Sequence, residues 1–235
     1  MAPSHLTVIE HQADCPPARV GRWLADAGGS LSICRPYRGE PIPSEVDALL
    51  VLGGGMGCEE DDRAPWLPAT RDLVRRCTQQ RRPVLGICLG HQIVAVALGG
   101  TVGRNPAGSS YGVRIVQWQD GSGADPVFAP AAEQTKPLIH ANDDIVTRLP
   151  DGAQLLGRGE GGEVVAARFA ETVWGIQGHP EIDAKIIDTW FVTDIAKGAI
   201  TPEHARHIVA DIRAQQDALD AAWQPVAQAF AEQLR

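Results

Sequence analysis

The chain has 235 residues, of which 44% are hydrophobic and 21% charged, and its formal net charge is −8. That balance describes a globular chain with a sizeable core; with no Lys/Arg cluster beside it, the negative charge argues against a nucleic-acid-binding surface. The amino terminus lacks the basic start and apolar core of a secretion signal, and no apolar run approaches membrane-spanning length. Five cysteines at irregular spacing, none in a CxxC pair, argue against a disulfide framework or a zinc site and for a reduced, cytoplasmic setting.

In chain order, "LTVIEH" (6–11) predicts a strand, "PPARVGRWLADAGG" (16–29) a helix with a glycine stop, and "SLSIC" (30–34) a second strand. "VDALLVLGGG" (46–55) is an apolar strand running into glycines. "APWLPATRDLVRRCTQQRR" (64–82) has helical periodicity, and "PVLGIC" (83–88) is a strand followed by an apolar helix. This alternation predicts an α/β fold with a mostly parallel central sheet and helices on both faces. From Thr101 to Val173 the helical pattern fades into short β-type pieces, "YGVRIVQW", "DIVTRL", "EVVAARF" and "VWGIQ", which suggest a small antiparallel section. Beyond Pro180 the chain turns helical again, in 183–198, in 201–223 with Thr201-Pro202 as cap and first residue, and in a closing helix from Pro225. Residues 1–235 read as one domain, with 183–235 as a C-terminal helical extension.

The chemistry gathers where the strands end in glycines. In "GICLG" (86–90) a cysteine sits at a strand-to-helix turn, as the serine does in a nucleophile elbow. Gly86 and Gly90 relieve the crowding of so tight a turn, and the helix N-terminus favours the thiolate. The N–H of Leu89 would point at an oxyanion forming beside the sulfur, and the amides of Gly54 or Gly55 are the natural second donors. Of the seven histidines, His5 and His11 flank the first strand. His204 and His207 read as a solvent-facing helical pair without a third metal ligand. His91 follows the elbow on its own helix and is directed away from the sulfur. His140, in "PLIHANDD", remains open. His179, in "VWGIQGHPEI", ends an apolar strand two residues before Glu181, a carboxylate placed to fix its tautomer. Coupled to the elbow, Cys88, His179 and Glu181 are the expected catalytic triad.

"GICLGHQ" followed by "GIQGHPE", with "LGGGMG" before "PWL" and "ALGGTVGRNPAG" after the elbow, resembles the class I glutamine amidotransferases of the free-standing, GMP-synthase-like kind. The resemblance covers the chain from "LTVIEH" to about "TWF". It implies a flavodoxin-like sheet with a small antiparallel extension. It also implies that Cys88 attacks the side-chain amide of glutamine, releasing ammonia and leaving a γ-glutamyl thioester that water hydrolyses. Gly54 and Leu89 then supply oxyanion amides, and Gln92 helps hold the substrate, with Tyr111 as a further contact. No cofactor or metal is expected. The partners implied are glutamine or another γ-glutamyl small molecule and, where ammonia is passed on, a separate synthase subunit. No P-loop is found, so an ATP-dependent amination would need that subunit. The chain departs from the family pattern at Gly178, where an aromatic residue usually precedes the histidine, and this reads as loosened support or open space beside the ring. It departs again at Asn142, at Ser110 and in the run Gly53-Gly54-Gly55-Met56. These departures bear on substrate choice and favour, as the alternative, a stand-alone γ-glutamyl peptide or amide hydrolase. A non-catalytic module is the third reading.

Overall fold

The computed structural model describes residues 5–133 and 136–234. The first half alternates as expected: β1 (His5–Ile9), α1 (Ala18–Asp26), β2 (Ser30–Cys34), β3 (Ala48–Val51), α2 (Leu67–Gln79), β4 (Val84–Ile87) and α3 (Leu89–Ala97). Then follow β5 (Thr101–Arg104), β6 (Ser110–Ile115), β7 (Gln117–Trp118), the short α4 (Ala129–Ala132), β8 (Pro137–Asn142), β9 (Asp144–Arg148), β10 (Gln154–Arg158), β11 (Val164–Ala170) and β12 (Val173–Ile176). Three helices, α5 (Ala184–Ala196), α6 (Pro202–Ala214) and α7 (Gln216–Glu232), close the chain.

Eight strands form one sheet in the order β2-β1-β3-β4-β12-β11-β10-β7. The run from β2 through β12 is parallel, and β11, β10 and β7 extend it antiparallel. Thus β12 joins the parallel half beside β4, although it reads as one of the antiparallel pieces. Two small antiparallel pairs, β5 with β9 and β6 with β8, stand apart from the main sheet.

The strand period of two divides the sheet's apolar residues between two cores. Leu50, Leu85 and Ile87 face one cluster with Trp23, Trp223 and Phe230, while Leu49, Val51 and Val84 face the other with Leu73, Val74 and Ile93. Helices α1 and α7 cover the first face and α2 and α3 the second, which is why these strands read as continuous apolar runs. A third cluster, with Ile187, Phe191, Ile208 and Ile212, packs α5 and α6 against Ile139 of β8.

The C-terminal helices divide differently from their sequence reading. The break falls at Gln215, and α7 runs through Pro225. The buried stripe Leu219, Ala222, Trp223, Val226, Ala227, Phe230 keeps helical spacing across the proline. Burying that stripe outweighs the hydrogen bond the proline cannot donate. The stripe of α6, Ala205, Ile208, Val209 and Ile212, faces the third cluster instead. One straight helix could not serve both faces.

Candidate active site

Strands β3, β4 and β12 lie side by side, and their carboxyl ends deliver Gly54, Cys88 and His179 to one place. Cys88 sits between β4 and α3 with φ 52° and ψ −108°, a conformation strained for any residue with a Cβ. Its N–H donates to the Ile176 carbonyl at 2.8 Å and its carbonyl accepts from Gln92 N at 3.1 Å, so strand and helix both hold it. The flanking glycines are required by contact. A Cβ on Gly86 would lie 2.5 Å from the Gly90 carbonyl oxygen, and one on Gly90 would fall on the Val51 carbonyl.

His179 follows β12. Its N–H donates to the Ile139 carbonyl at 2.7 Å, and its Nδ1 lies 2.8 Å from Glu181 Oε1. Both side chains are buried, as is Cys88. Gly53 shows how closely Cys88 and His179 approach: a Cβ there would meet His179 Cε1 at 3.3 Å and Cys88 Cβ at 3.7 Å. Burial by itself pushes the imidazole toward neutrality. The negative charges of Cys88 and then Glu181 reverse this and hold its proton well above the ordinary range. Nε2 makes no formed hydrogen bond among the described residues, so the contact with the sulfur is a loose one that substrate can tighten. Trp190 of α5 stands edge-on to the ring, centroids 4.9 Å apart, with its own N–H on the Asp14 carbonyl at 2.7 Å.

Other expected residues fall out differently. Gly55 N–H already donates to Gln12 Oε1 at 2.8 Å, so it is not free to meet an oxyanion. Among the described residues no group accepts the N–H of Gly54 or of Leu89. The two residues are neighbours, since a Cβ on Gly54 would be 2.9 Å from the Leu89 side chain at Cδ2. The Gln92 amide nitrogen is taken by the Asp144 carbonyl (2.9 Å) and Gln177 Oε1 (3.3 Å), which makes it a buried bridge rather than an open substrate donor. Tyr111 turns to α5: its ring packs on Phe191 at 5.8 Å and its hydroxyl reaches Asp194 at 3.4 Å. His140 is buried beside His179. Burial, then the charges of His179 and Arg114, push its pKa down to about 4, which leaves it a neutral neighbour. His91 packs on Phe169 on the far side of the elbow helix.

The sequence singles out none of Gln177, Trp190 and Gln12 as a site residue. Gln177 lies inside the quoted "GIQGHPE", two residues before His179, just past the end of β12. Trp190 and Gln12 come from elements 11 residues after and 167 before His179, and no local pattern marks them.

The family model "Glutamine amidotransferase class-I" matches residues 29–196. The chain belongs to the class I glutamine amidotransferases. Its relatives include γ-glutamyl peptidase 5 of Arabidopsis thaliana, 32% identical over 144 residues that cover 61% of this chain and 57% of that protein. They also include the glutamine-hydrolysing GMP synthase of Thermotoga sp. (strain RQ2), 33% identical over 139 residues that cover 59% of this chain and 25% of that protein. The chain therefore spans little more than half of the first relative and a quarter of the second. A glutamine amidotransferase from Methylobacillus flagellatus shares the fold, with a TM-score of 0.85 at 24% identity over 100% of this chain and 96% of that one.

In this class I amidotransferase the Gly178 departure leaves no open space. A Cβ there would overlap the Leu138 side chain and lie 2.8 Å from the Ile139 carbonyl, because β8 presses directly on the residue. The histidine's support is not loosened either, since Ile139, Glu181 and Trp190 hold it from three sides. Ser110 and Asn142 pair directly across β6 and β8.

Proposed function

We propose that this amidotransferase hydrolyses γ-glutamyl amides through Cys88, with glutamine as substrate and residues 1–235 acting as one unit. The observation that carries the reading is the buried His179–Glu181 pair, 2.8 Å apart, facing a cysteine on a strained elbow. In this mechanism the Cys88 sulfur attacks the amide carbon, and the charge developing on the amide oxygen meets the N–H groups of Gly54 and Leu89. His179, holding the proton taken from the thiol, gives it to the departing nitrogen, so ammonia leaves and a thioester remains. Water then attacks the thioester. His179 takes a proton from the water and returns it to the sulfur as glutamate is released. Glu181 accepts the Nδ1–H and stabilises the imidazolium throughout.

A γ-glutamyl peptide is the alternative substrate, favoured by the likeness to γ-glutamyl peptidase 5 and by the departures at Ser110 and Asn142. The likeness to GMP synthase supports instead a separate synthase that receives the ammonia. The test is ammonia release from glutamine, beside amine release from γ-glutamyl dipeptides, by the purified chain. Cys88→Ala should lower turnover on the order of 10⁴-fold or more and His179→Ala nearly as much. Glu181→Gln should be milder, because its oxygen can still accept the Nδ1–H. Full activity in Cys88→Ala would exclude the mechanism. Turnover of dipeptides but not of glutamine would select the alternative.

A further inference from the structure

The Cys88 sulfur has one formed hydrogen-bond donor among the described residues: Gln177 Nε2, at 3.7 Å. Gln177 is completely buried, and its backbone N–H is fixed on the Val165 carbonyl at 2.7 Å. An amide side chain could turn either its oxygen or its nitrogen to the sulfur, so its orientation has to be read from the network. That network ends on an atom that admits one answer. The Asp144 carbonyl oxygen only accepts, so the Gln92 group 2.9 Å from it is the nitrogen. The same Gln92 nitrogen lies 3.3 Å from Gln177, which must therefore turn its oxygen that way. The nitrogen of Gln177 is then left facing Cys88. Asn142 Nδ2 donates to the same Asp144 carbonyl at 3.2 Å, so the anchor is held from two sides.

We infer that Gln177 is a positioning residue for the nucleophile: its amide N–H, locked in one sense through Gln92 and the Asp144 carbonyl, is a fixed donor placed to stabilise negative charge on the Cys88 sulfur. The inference rests on Cys88 being the nucleophile. The relay ties the sulfur to the start of β9 through three hydrogen bonds, two buried and the one to the Asp144 carbonyl partly buried, and none of them depends on substrate. A donor aimed at sulfur stabilises a thiolate more than a thiol, because a hydrogen bond to a charged acceptor is the stronger kind. In the low-dielectric interior that difference grows. Gln92, expected to hold substrate, acts here at one remove, as the part that fixes which way Gln177 faces.

The test is the rate of Cys88 alkylation by iodoacetamide as a function of pH. It is measured on the full chain without substrate and read by mass spectrometry of the Cys88 peptide. In Gln177→Met the pH of half-maximal rate should rise by about one unit, which makes alkylation near neutrality about ten-fold slower. Gln92→Met, which does not touch the sulfur, should move the profile the same way by less, because the freed amide can rotate. Profiles that superimpose on the parent's in folded Gln177→Met would overturn the inference. If that variant does not fold, an unmoved profile in Gln92→Met overturns it equally. Alkylation needs no turnover, so the two readings separate. A displaced profile in a chain that hydrolyses nothing would sink the hydrolase reading alone, and an unmoved profile in an active chain would sink this one alone.

Discussion

Gly178 separates two strands' worth of packing with a single hydrogen atom. Leu138 is fully buried and the Ile139 carbonyl is engaged by His179 N–H, so neither neighbour has room to withdraw. Gly178→Ala should therefore cost about 1–3 kcal/mol of stability, the usual range for overpacking. It should also lower kcat, because pushing β8 aside moves the carbonyl that fixes His179. Urea midpoints and steady-state rates check both, and an unchanged midpoint would mean that Leu138 can yield. At this scale the placement of Cys88, His179 and Glu181 is legible in the sequence. Glycines flank the cysteine, and the histidine and carboxylate are two positions apart at the end of an apolar run. What fills the space around them is not legible. Leu138 and Trp190 arrive from β8 and α5, and Gln12 from the loop after β1. The identity of such neighbours depends on how whole elements dock. The readings of Gly178 as open space and of the Gly55 amide as free both fail for that reason.

The elbow is the element in which local strain coincides with the proposed nucleophile. Cys88 holds a positive φ that a residue with a Cβ occupies at a cost of about 1–3 kcal/mol. Glycine would relieve it, although a glycine adds up to about 1 kcal/mol of unfolded-chain freedom. Both Cys88→Ala and Cys88→Gly remove the sulfur, and glycine should be the more stable by about 1 kcal/mol, the reverse of the usual order. Chemical denaturation of the two variants decides it, and a more stable alanine variant would mean the turn is not strained. The elbow and the alternating first half are readable because each strand is an apolar run ended by glycine or a polar turn. The region between Thr101 and Val173 is harder. Strands β5 and β10 carry Gly103 and Gly157 within them, and β8 opens on Pro137. β5 and β8 find their partners outside their neighbouring sequence, in β9 and β6, while β10 pairs with the adjacent β11 through an irregular register, so pairing rather than local pattern makes them strands. The C-terminal division at Gln215 follows from which core each helical stripe meets, and a proline reads as a stronger break than that packing allows.

For the molecule as a whole, burial of titratable side chains sets the range of pH in which the fold is stable. His11 and His140 are pushed down to about 4 and His91 to about 3, chiefly by burial, from an ordinary value of 6.5. Below pH 6.5 the unfolded chain therefore takes up three protons that the folded chain refuses, and stability falls as pH falls. Each proton contributes a slope of about 1.4 kcal/mol per pH unit, so the three together approach about 4 kcal/mol per unit until the folded chain begins to protonate near pH 4. His179 does not add to this slope, because its proton is held in the folded chain and, below 6.5, in the unfolded chain as well. Its contribution is lost instead as pH rises through its raised value. On the alkaline side burial raises the thiols of Cys15, Cys58 (to about 12) and Cys77 (to about 11) from an ordinary 9.0. Above pH 9 the unfolded chain releases these protons first, and stability falls again. Melting temperature against pH should thus be highest between about 6.5 and 9, with a steep acid limb. His11→Gln should flatten that limb by one proton's worth, about a third of the three-histidine slope. A melting temperature level from pH 7 down to pH 4.5 would show that the buried imidazoles protonate without unfolding, and that the polar groups around the elbow are open to water.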